Sequence, residues 1–254
     1  MYQKIFVECR ARLRWILPLA WGAAISLAAH PSHASTIYSD ALNHPSANLN
    51  GQAPSIPNTP PNWSASLAWA GNGSITGSNI GGGDNAFLPF PPANGNIYEL
   101  TATFSLSSTS SSWFALGFVD SSNISTPFYN DTSSSPWMLL TGQGNYYTSK
   151  NGTGNLVGPI FFGTVATFKV ELNTMAPVWT ASFFVNNTLV SGPLSYTTNP
   201  TTISGVGFGR ADDAIGSVSN FSLTVVPEPA SWTLALMAGL AWLASARRKC
   251  GEQR

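Results

Sequence analysis

Residues 97–106 read IYELTATFSL. Tyr98, Leu100, Ala102, Phe104 and Leu106 fall on one side of an extended chain, and Glu99, Thr101, Thr103 and Ser105 fall on the other. A period of two is the signature of a half-buried β-strand, because successive side chains leave a strand on opposite faces. The same alternation returns at 165–174, VATFKVELNT, where Phe168, Val170 and Leu172 oppose Lys169, Glu171 and Asn173. It returns again at 219–226, SNFSLTVV, where Phe221, Leu223 and Val225 alternate with Ser222 and Thr224.

Working outward, further strands are expected at Trp113–Val119, Pro136–Thr141, Tyr146–Ser149, Val178–Val185, Thr188–Val190 and Thr202–Phe208, with Asn186-Asn187 as a hairpin turn. Between them lie GNGSITGSNIGGGDN (71–85), SSTSSS (107–112), GQGN (142–145) and KNGTGN (150–155), whose Gly, Ser and Asn residues favour turns. No amphipathic helical stretch of convincing length interrupts the series. Many short strands with frequent turns and no helix predict an all-β fold, an antiparallel two-sheet sandwich or jelly roll. The stretch 41–63 reads as loop with at most one early strand.

This body, residues 36–226 of the 254, has the length of one domain. Its cations are Lys150, Lys169 and Arg210, and its acids are Asp40, Asp84, Glu99, Asp120, Asp131, Glu171, Asp212 and Asp213, a net charge of −5. Such a balance gives no electrostatic grip on nucleic acid or on an anionic lipid surface. Both cysteines, Cys9 and Cys250, lie outside the body, so its stability comes from its core and not from a disulfide.

Catalytic chemistry finds little material. Glycoside hydrolysis uses a pair of carboxylates, and the body's glutamates, Glu99 and Glu171, stand on the polar sides of alternating strands. A serine nucleophile needs a base, and the body's single histidine, His44, reads as a surface residue of a proline-rich loop without a nucleophile elbow. Zinc spacing is absent. Calcium has better donors: Asp120 with Asn123, Asn130 with Asp131, and Asp212 with Asp213 are hard oxygen ligands in turn-rich stretches, although Asp and Asn also populate turns for local hydrogen-bonding reasons. Among the aromatic residues Trp113 and Trp179 lie within strands, where burial is the default. Trp137, Tyr146 and Tyr147 border Ser, Gly and Asn turns, which makes them the candidate platforms for stacking on a sugar face.

The two ends speak of address. Lys4, Arg10, Arg12 and Arg14 precede the apolar WILPLAWGAAISLAA and the small-residue exit HPSHA, the order of a secretory signal peptide over 1–34 with the new N-terminus near Ser35. At the other end the uncharged run Ala230–Ala246 has 17 residues. As a helix it would reach about 25 Å, the short limit for a membrane span. Arg247, Arg248 and Lys249 follow it as a cytoplasmic stop signal. Pro227 and Pro229 enforce an extended handle at Val226–Pro229, with Glu228 as its charge.

Val226-Pro227-Glu228-Pro229, the short apolar span with Gly239-Leu240, and Arg247-Arg248-Lys249 together resemble the PEP-CTERM sorting tail, here residues 227–254 with the motif at 226–229. That resemblance implies recognition by an exosortase, a membrane cysteine transpeptidase of exopolysaccharide-producing Gram-negative bacteria, after Sec-type export and signal peptidase cleavage. Cys250 and the four residues after it depart from the usual pattern. Within the body, 35–226, most of residues 75–226, through GGGDNAFLPFPPANGNIYELTATFSL, SWFALGFVD and PWMLL, resembles the concanavalin-like or laminin-G-like jelly-roll ectodomains found ahead of such tails. The expected protein is a non-enzymatic component of the cell surface or biofilm matrix, inner-membrane anchored as a precursor, with exopolysaccharide as a candidate partner and Ca2+ as a candidate ion. A secreted carbohydrate-active enzyme using Glu99 or Glu171, and an anchored protein whose tail is never processed, are the alternatives.

Overall fold

The stretch 97–106 forms a strand in the interior of a six-stranded antiparallel sheet. The computed structural model describes residues 34–57, 59–75, 84–106, 113–120, 135–141, 145–150, 153–159, 165–196, 203–211 and 215–226. Among these, the strands are β1 (Ser35–Asp40), β2 (Ser64–Ala65), β3 (Asp84–Pro89), β4 (Ile97–Leu106), β5 (Trp113–Asp120), β6 (Trp137–Thr141), β7 (Asn145–Lys150), β8 (Thr153–Pro159), β9 (Val165–Asn173), β10 (Thr180–Val185), β11 (Thr188–Ser195), β12 (Ile203–Ala211) and β13 (Gly216–Val226). The six-stranded sheet runs β1-β13-β4-β9-β10-β11 and the seven-stranded sheet β2-β3-β12-β5-β6-β7-β8. Every pairing is antiparallel. No helix occurs among the described residues, and none there is long and apolar enough to cross a membrane. The expected leader (1–34), except for its last residue Ala34, and the expected span (230–246) lie outside the described residues.

Alternation decides which side of each strand meets the core. Leu100, Ala102 and Phe104 of β4, Phe168, Val170 and Leu172 of β9, and Ala181, Phe183 and Val185 of β10 turn inward and are buried. From the other sheet come Ala86 and Leu88 of β3, Phe114, Leu116 and Phe118 of β5, and Val206 and Phe208 of β12. Each large apolar side chain contributes about 1.5–3 kcal/mol by leaving water. The phase slips in β13, where Ser219 pairs with Thr103 and Ser222 with Thr101, so that one extra residue is absorbed. Asn220 takes a φ of 52° there, and the bulge lets Val218 and Phe221 both face the core.

Asn186-Asn187 closes the β10–β11 hairpin with φ of 48° and 63°, the left-handed pair that such a two-residue turn requires. Strands β1, β2, β3 and β8 were not anticipated by the pattern. In β3 both faces are buried, Ala86 and Leu88 inside with Asn85 and Phe87 outside, so polar and apolar residues do not alternate. The stretch 41–63 is largely irregular, yet it is part of the core. Leu42, Leu49 and Trp63, with Trp69 just beyond, insert into the main cluster. The edge strand β11 carries Gly192-Pro193 between register shifts, which leaves it a poor template for another strand.

Candidate functional site

The predicted aromatic platform is split by the pleat. Tyr147 pairs with Leu139, and Tyr146 pairs with Leu140. Adjacent residues of one strand face opposite ways, so Tyr146 enters the main core while Tyr147 packs outside. Trp137 lies with Tyr147 on the outer face of the seven-stranded sheet, but it is 0% exposed. Phe87, Trp113, Ala115, Val119 and Leu139 complete a second buried cluster there. The expectation of an exposed Trp137 and Tyr146 is therefore corrected. One is the centre of a second small core and the other belongs to the first; of the three, only the partly buried Tyr147 keeps some surface.

Glycine makes that second cluster fit. In β12, Gly205, Gly207 and Gly209 alternate with the inward Val206, Phe208 and Arg210, leaving a strip of bare backbone between β3 and β5. A Cβ on Gly207 would stand 2.6 Å from Phe87 Cδ1, and one on Gly117 would stand 2.4 Å from Trp137 Cβ. The aromatic side chains thus occupy the space that side chains would otherwise fill. Among the described residues the Trp137 indole N–H has no hydrogen-bond acceptor, so the cluster is buried apolar ring surface with one buried donor. That is material for packing, with no nucleophile or base.

The polar outer face of the six-stranded sheet brings together the two glutamates. Glu99 and Glu171 are direct ladder partners on β4 and β9. Lys169 Nζ donates to Glu99 Oε1 at 3.0 Å and stands 4.2 Å from the centre of the Phe184 ring. Thr101 and Ser222 hydroxyls meet at 2.7 Å, and Thr103 and Thr167 at 3.2 Å. Like charges opposite one another repel, and the lysine offsets part of that. The pair stands on a solvated sheet face.

The metal candidates are not assembled among the described residues. Asp120 ends β5, its backbone opposite Ile203. Its side chain, with Asn123, Asn130, Asp131, Asp212 and Asp213, lies outside the described residues. Among the described residues no three His, Cys, Asp or Glu side chains are grouped so as to hold a metal ion. Val226, first residue of the expected sorting motif, is the last residue of β13 and pairs with Ile97. Pro227, Glu228, Pro229, Arg247, Arg248 and Lys249 lie outside the described residues.

Two polar constellations escaped the sequence reading. Asp40 is buried and accepts hydrogen bonds from Trp63 Nε1 at 2.7 Å and from Leu42 N at 2.9 Å, while His44 Nε2 lies 2.9 Å from its Oδ2. His44 is consequently a half-buried member of a loop clamp and not a free surface residue. Arg210 is buried against Asp84, with Nε at 2.9 Å and Nη2 at 2.7 Å from Oδ2. The signal was present in GVGFGRA: Arg210 continues the inward series Val206, Phe208 and so demands a buried carboxylate.

Burial also sets the tyrosines. Desolvation pushes the Tyr196 hydroxyl well above its ordinary value of 10.0, a hydrogen bond with Ser149 opposing it, and burial raises Tyr38 and Tyr146 too. A raised folded value means the neutral form is favoured by folding. The resulting stability is complete below the unfolded value and is lost as pH rises through the folded one. Urea unfolding midpoints should therefore start to fall above about pH 10, and a Tyr196→Phe variant should fall less. Equal decline in the two proteins would contradict this assignment.

No protein-family model matches the sequence, and no curated protein matches it. Solved structures that it is similar to include a sialidase, 11% identical over 77% of this chain with a TM-score of 0.47. This chain spans 19% of that sialidase. A mutant of alginate lyase Aly36B in complex with alginate trisaccharide is 16% identical over 78% of this chain and 98% of its own, TM-score 0.45. The metal-free carbohydrate recognition domain of Emp46p is 12% identical over 75% of this chain and 94% of its own, TM-score 0.46. Likenesses this distant transfer neither ligand nor activity. The two-sheet architecture stands on the strand order above.

Proposed function

We propose that this chain is the precursor of an exported protein, delivered to the cell surface or exopolysaccharide matrix through its C-terminal sorting tail. Its jelly-roll body acts there as a non-enzymatic structural and adhesive component. The observation that carries this reading is the order of the last residues: Val226-Pro227-Glu228-Pro229, an uncharged run, then Arg247-Arg248-Lys249. Proline-fixed extension makes the motif a strand that a processing enzyme can grip, and the basic stop fixes the tail's orientation in the inner membrane.

What surrounds the tail supports it. Residues Ala34–Val226 form one compact unit whose last ladder residue abuts the motif. The exchange of strands between the two sheets, with β13 between β1 and β4 and β12 between β3 and β5, favours a jelly-roll description. Tyr147 is the glycan contact that remains from the predicted three. Replacing Pro227, Glu228 and Pro229 together by alanine should leave full-length chain accumulating in the inner membrane of a host that carries an exosortase. Normal release of that variant would defeat the sorting assignment.

One observation favours a second reading. Glu99 and Glu171 are ladder partners, which places two carboxylates close enough to share a substrate. Under that reading purified protein shortens the host exopolysaccharide and Glu171→Gln abolishes the shortening. Under the reading proposed here neither protein alters polymer length.

A further inference from the structure

The two ends of the body leave it side by side. Ser35 opens β1 and is the ladder partner of Val225, one residue before β13 ends. Adjacent strands put the two exits about 5 Å apart. Val226 in turn pairs with Ile97, whose neighbour Asn96 belongs to the tip formed by PPANGN (91–96) and TMAPVW (174–179). From Val226 to Ala230, the first residue of the expected span, is four steps of chain, at most about 14 Å. Whatever covers this tip, a membrane reached by that chain is close to it.

The tip is built as one rigid piece. Thr174 Oγ1 donates in the direction of Ala93 O and Asn96 O, each at 2.8 Å, and accepts from Asn96 N at 3.0 Å. The Thr174 backbone joins both sides, its N–H reaching Asn96 O at 2.8 Å and its carbonyl accepting from Gly95 N at 2.9 Å. Trp179 Nε1 donates to Asn94 Oδ1 at 3.1 Å. From Pro89 to Tyr98 and from Leu172 to Ser182 there is no charged residue, in a body of net charge −5. Pro91, Ala93, Pro177 and Val178 are exposed there, Val178 at 51%. Glu99 and Glu171 lie on the outer sheet face, while Asp120 ends β5 at this same end of the body, two residues after Phe118, whose ring packs against Phe90. An anionic bilayer repels acidic surfaces, so the uncharged tip approaches it at less cost than the sheet face that carries Glu99 and Glu171.

We infer that the tip 91–96 with 174–179 is the membrane-facing surface of the unprocessed protein, seated against the lipid headgroups with Val178 at the interface. This rests on the tail being a membrane span, as proposed above. The far end of the body supplies internal controls. Ile215 at the start of β13 is 63% exposed and Leu67, beside the start of β3, is 77% exposed. At about 3.3 Å per residue, the length of β13 separates Ile215 from the tip by roughly 35 Å, and the length of β3 separates Leu67 from it by roughly 20 Å.

The test uses the chain as it stands after leader removal, residues 35–254 with Cys250→Ser, carrying a fluorophore on Val178→Cys, Leu67→Cys or Ile215→Cys. Each is reconstituted into vesicles of phosphatidylethanolamine with a minority of phosphatidylglycerol. Headgroup-attached quencher should dim the Val178 probe several-fold more than the two distal probes, and aqueous iodide should show the reverse order. Flotation with the vesicles is read first. Failure to float overturns the membrane-span reading and this inference with it. Flotation with a Val178 probe as open to iodide as the Ile215 probe overturns this inference alone and leaves the sorting reading standing.

Discussion

Arg210→Met lowers the stability of the body by about 3–5 kcal/mol, because it leaves the Asp84 carboxylate buried without its cation. The two residues are ladder partners on β12 and β3, and both are nearly inaccessible to water. Ser66 Oγ also donates to Asp84 Oδ1, at 2.9 Å, but one hydroxyl cannot replace a guanidinium that approaches Oδ2 through two nitrogens. The pair's net worth is a separate quantity. Desolvating two charges costs several kcal/mol per ion, so Asp84→Leu with Arg210→Met should recover much of the loss. Urea unfolding of the four proteins in a double-mutant cycle measures both. A single variant within about 1 kcal/mol of the parent would show that the carboxylate is relieved in some other way.

Trp63→Ala should cost a similar amount, about 3–5 kcal/mol, from the cavity left by a fully buried indole. Trp63 sits 5.3 Å from the Phe208 ring and 4.9 Å from the Phe221 ring, so it joins β12 of one sheet to β13 of the other. Its N–H also serves the buried Asp40 carboxylate. Trp63→Phe separates these contributions, keeping most of the packing and removing the donor. It should cost about 1–3 kcal/mol, the charge-assisted bond plus a partly unsatisfied carboxylate. If Trp63→Phe matches Trp63→Ala, the hydrogen bond dominates. A near-neutral Trp63→Ala would mean that the irregular stretch 41–63 is not part of the cooperative core.

The sequence made legible whatever repeats with period two against a solvated face. The strands at 97–106, 165–173 and 219–226 have one wet side, so the polar residues mark it; the Asn186-Asn187 turn announces itself by residue type. Strand β3 was hidden because both of its faces are covered, which erases the contrast on which periodicity depends. Trp137 was misjudged for the same reason. The residues before it in the chain are turn residues, while its neighbours in space include Phe87 and Trp113 from the strands β3 and β5, distant in sequence. The Asp84–Arg210 pair spans 126 residues, and nothing local in either stretch names the other. The proposed sorting motif is different in kind: a processing enzyme that recognised it would read a short contiguous segment, so a short contiguous segment can carry it.

That contrast sets the order of experiments, since the tail carries the functional claim and the body carries the stability. The most direct measurement is the intact mass of the protein recovered from the surface or matrix of an exosortase-bearing host, beside the protein from the same host lacking that enzyme. The account predicts a chain that starts near Ser35 and ends at or near Pro227–Pro229 in the first host, with Arg247–Lys249 absent. In the second host it predicts a membrane-bound chain that still ends at Arg254. A chain from the first host that also extends to Arg254 would contradict it.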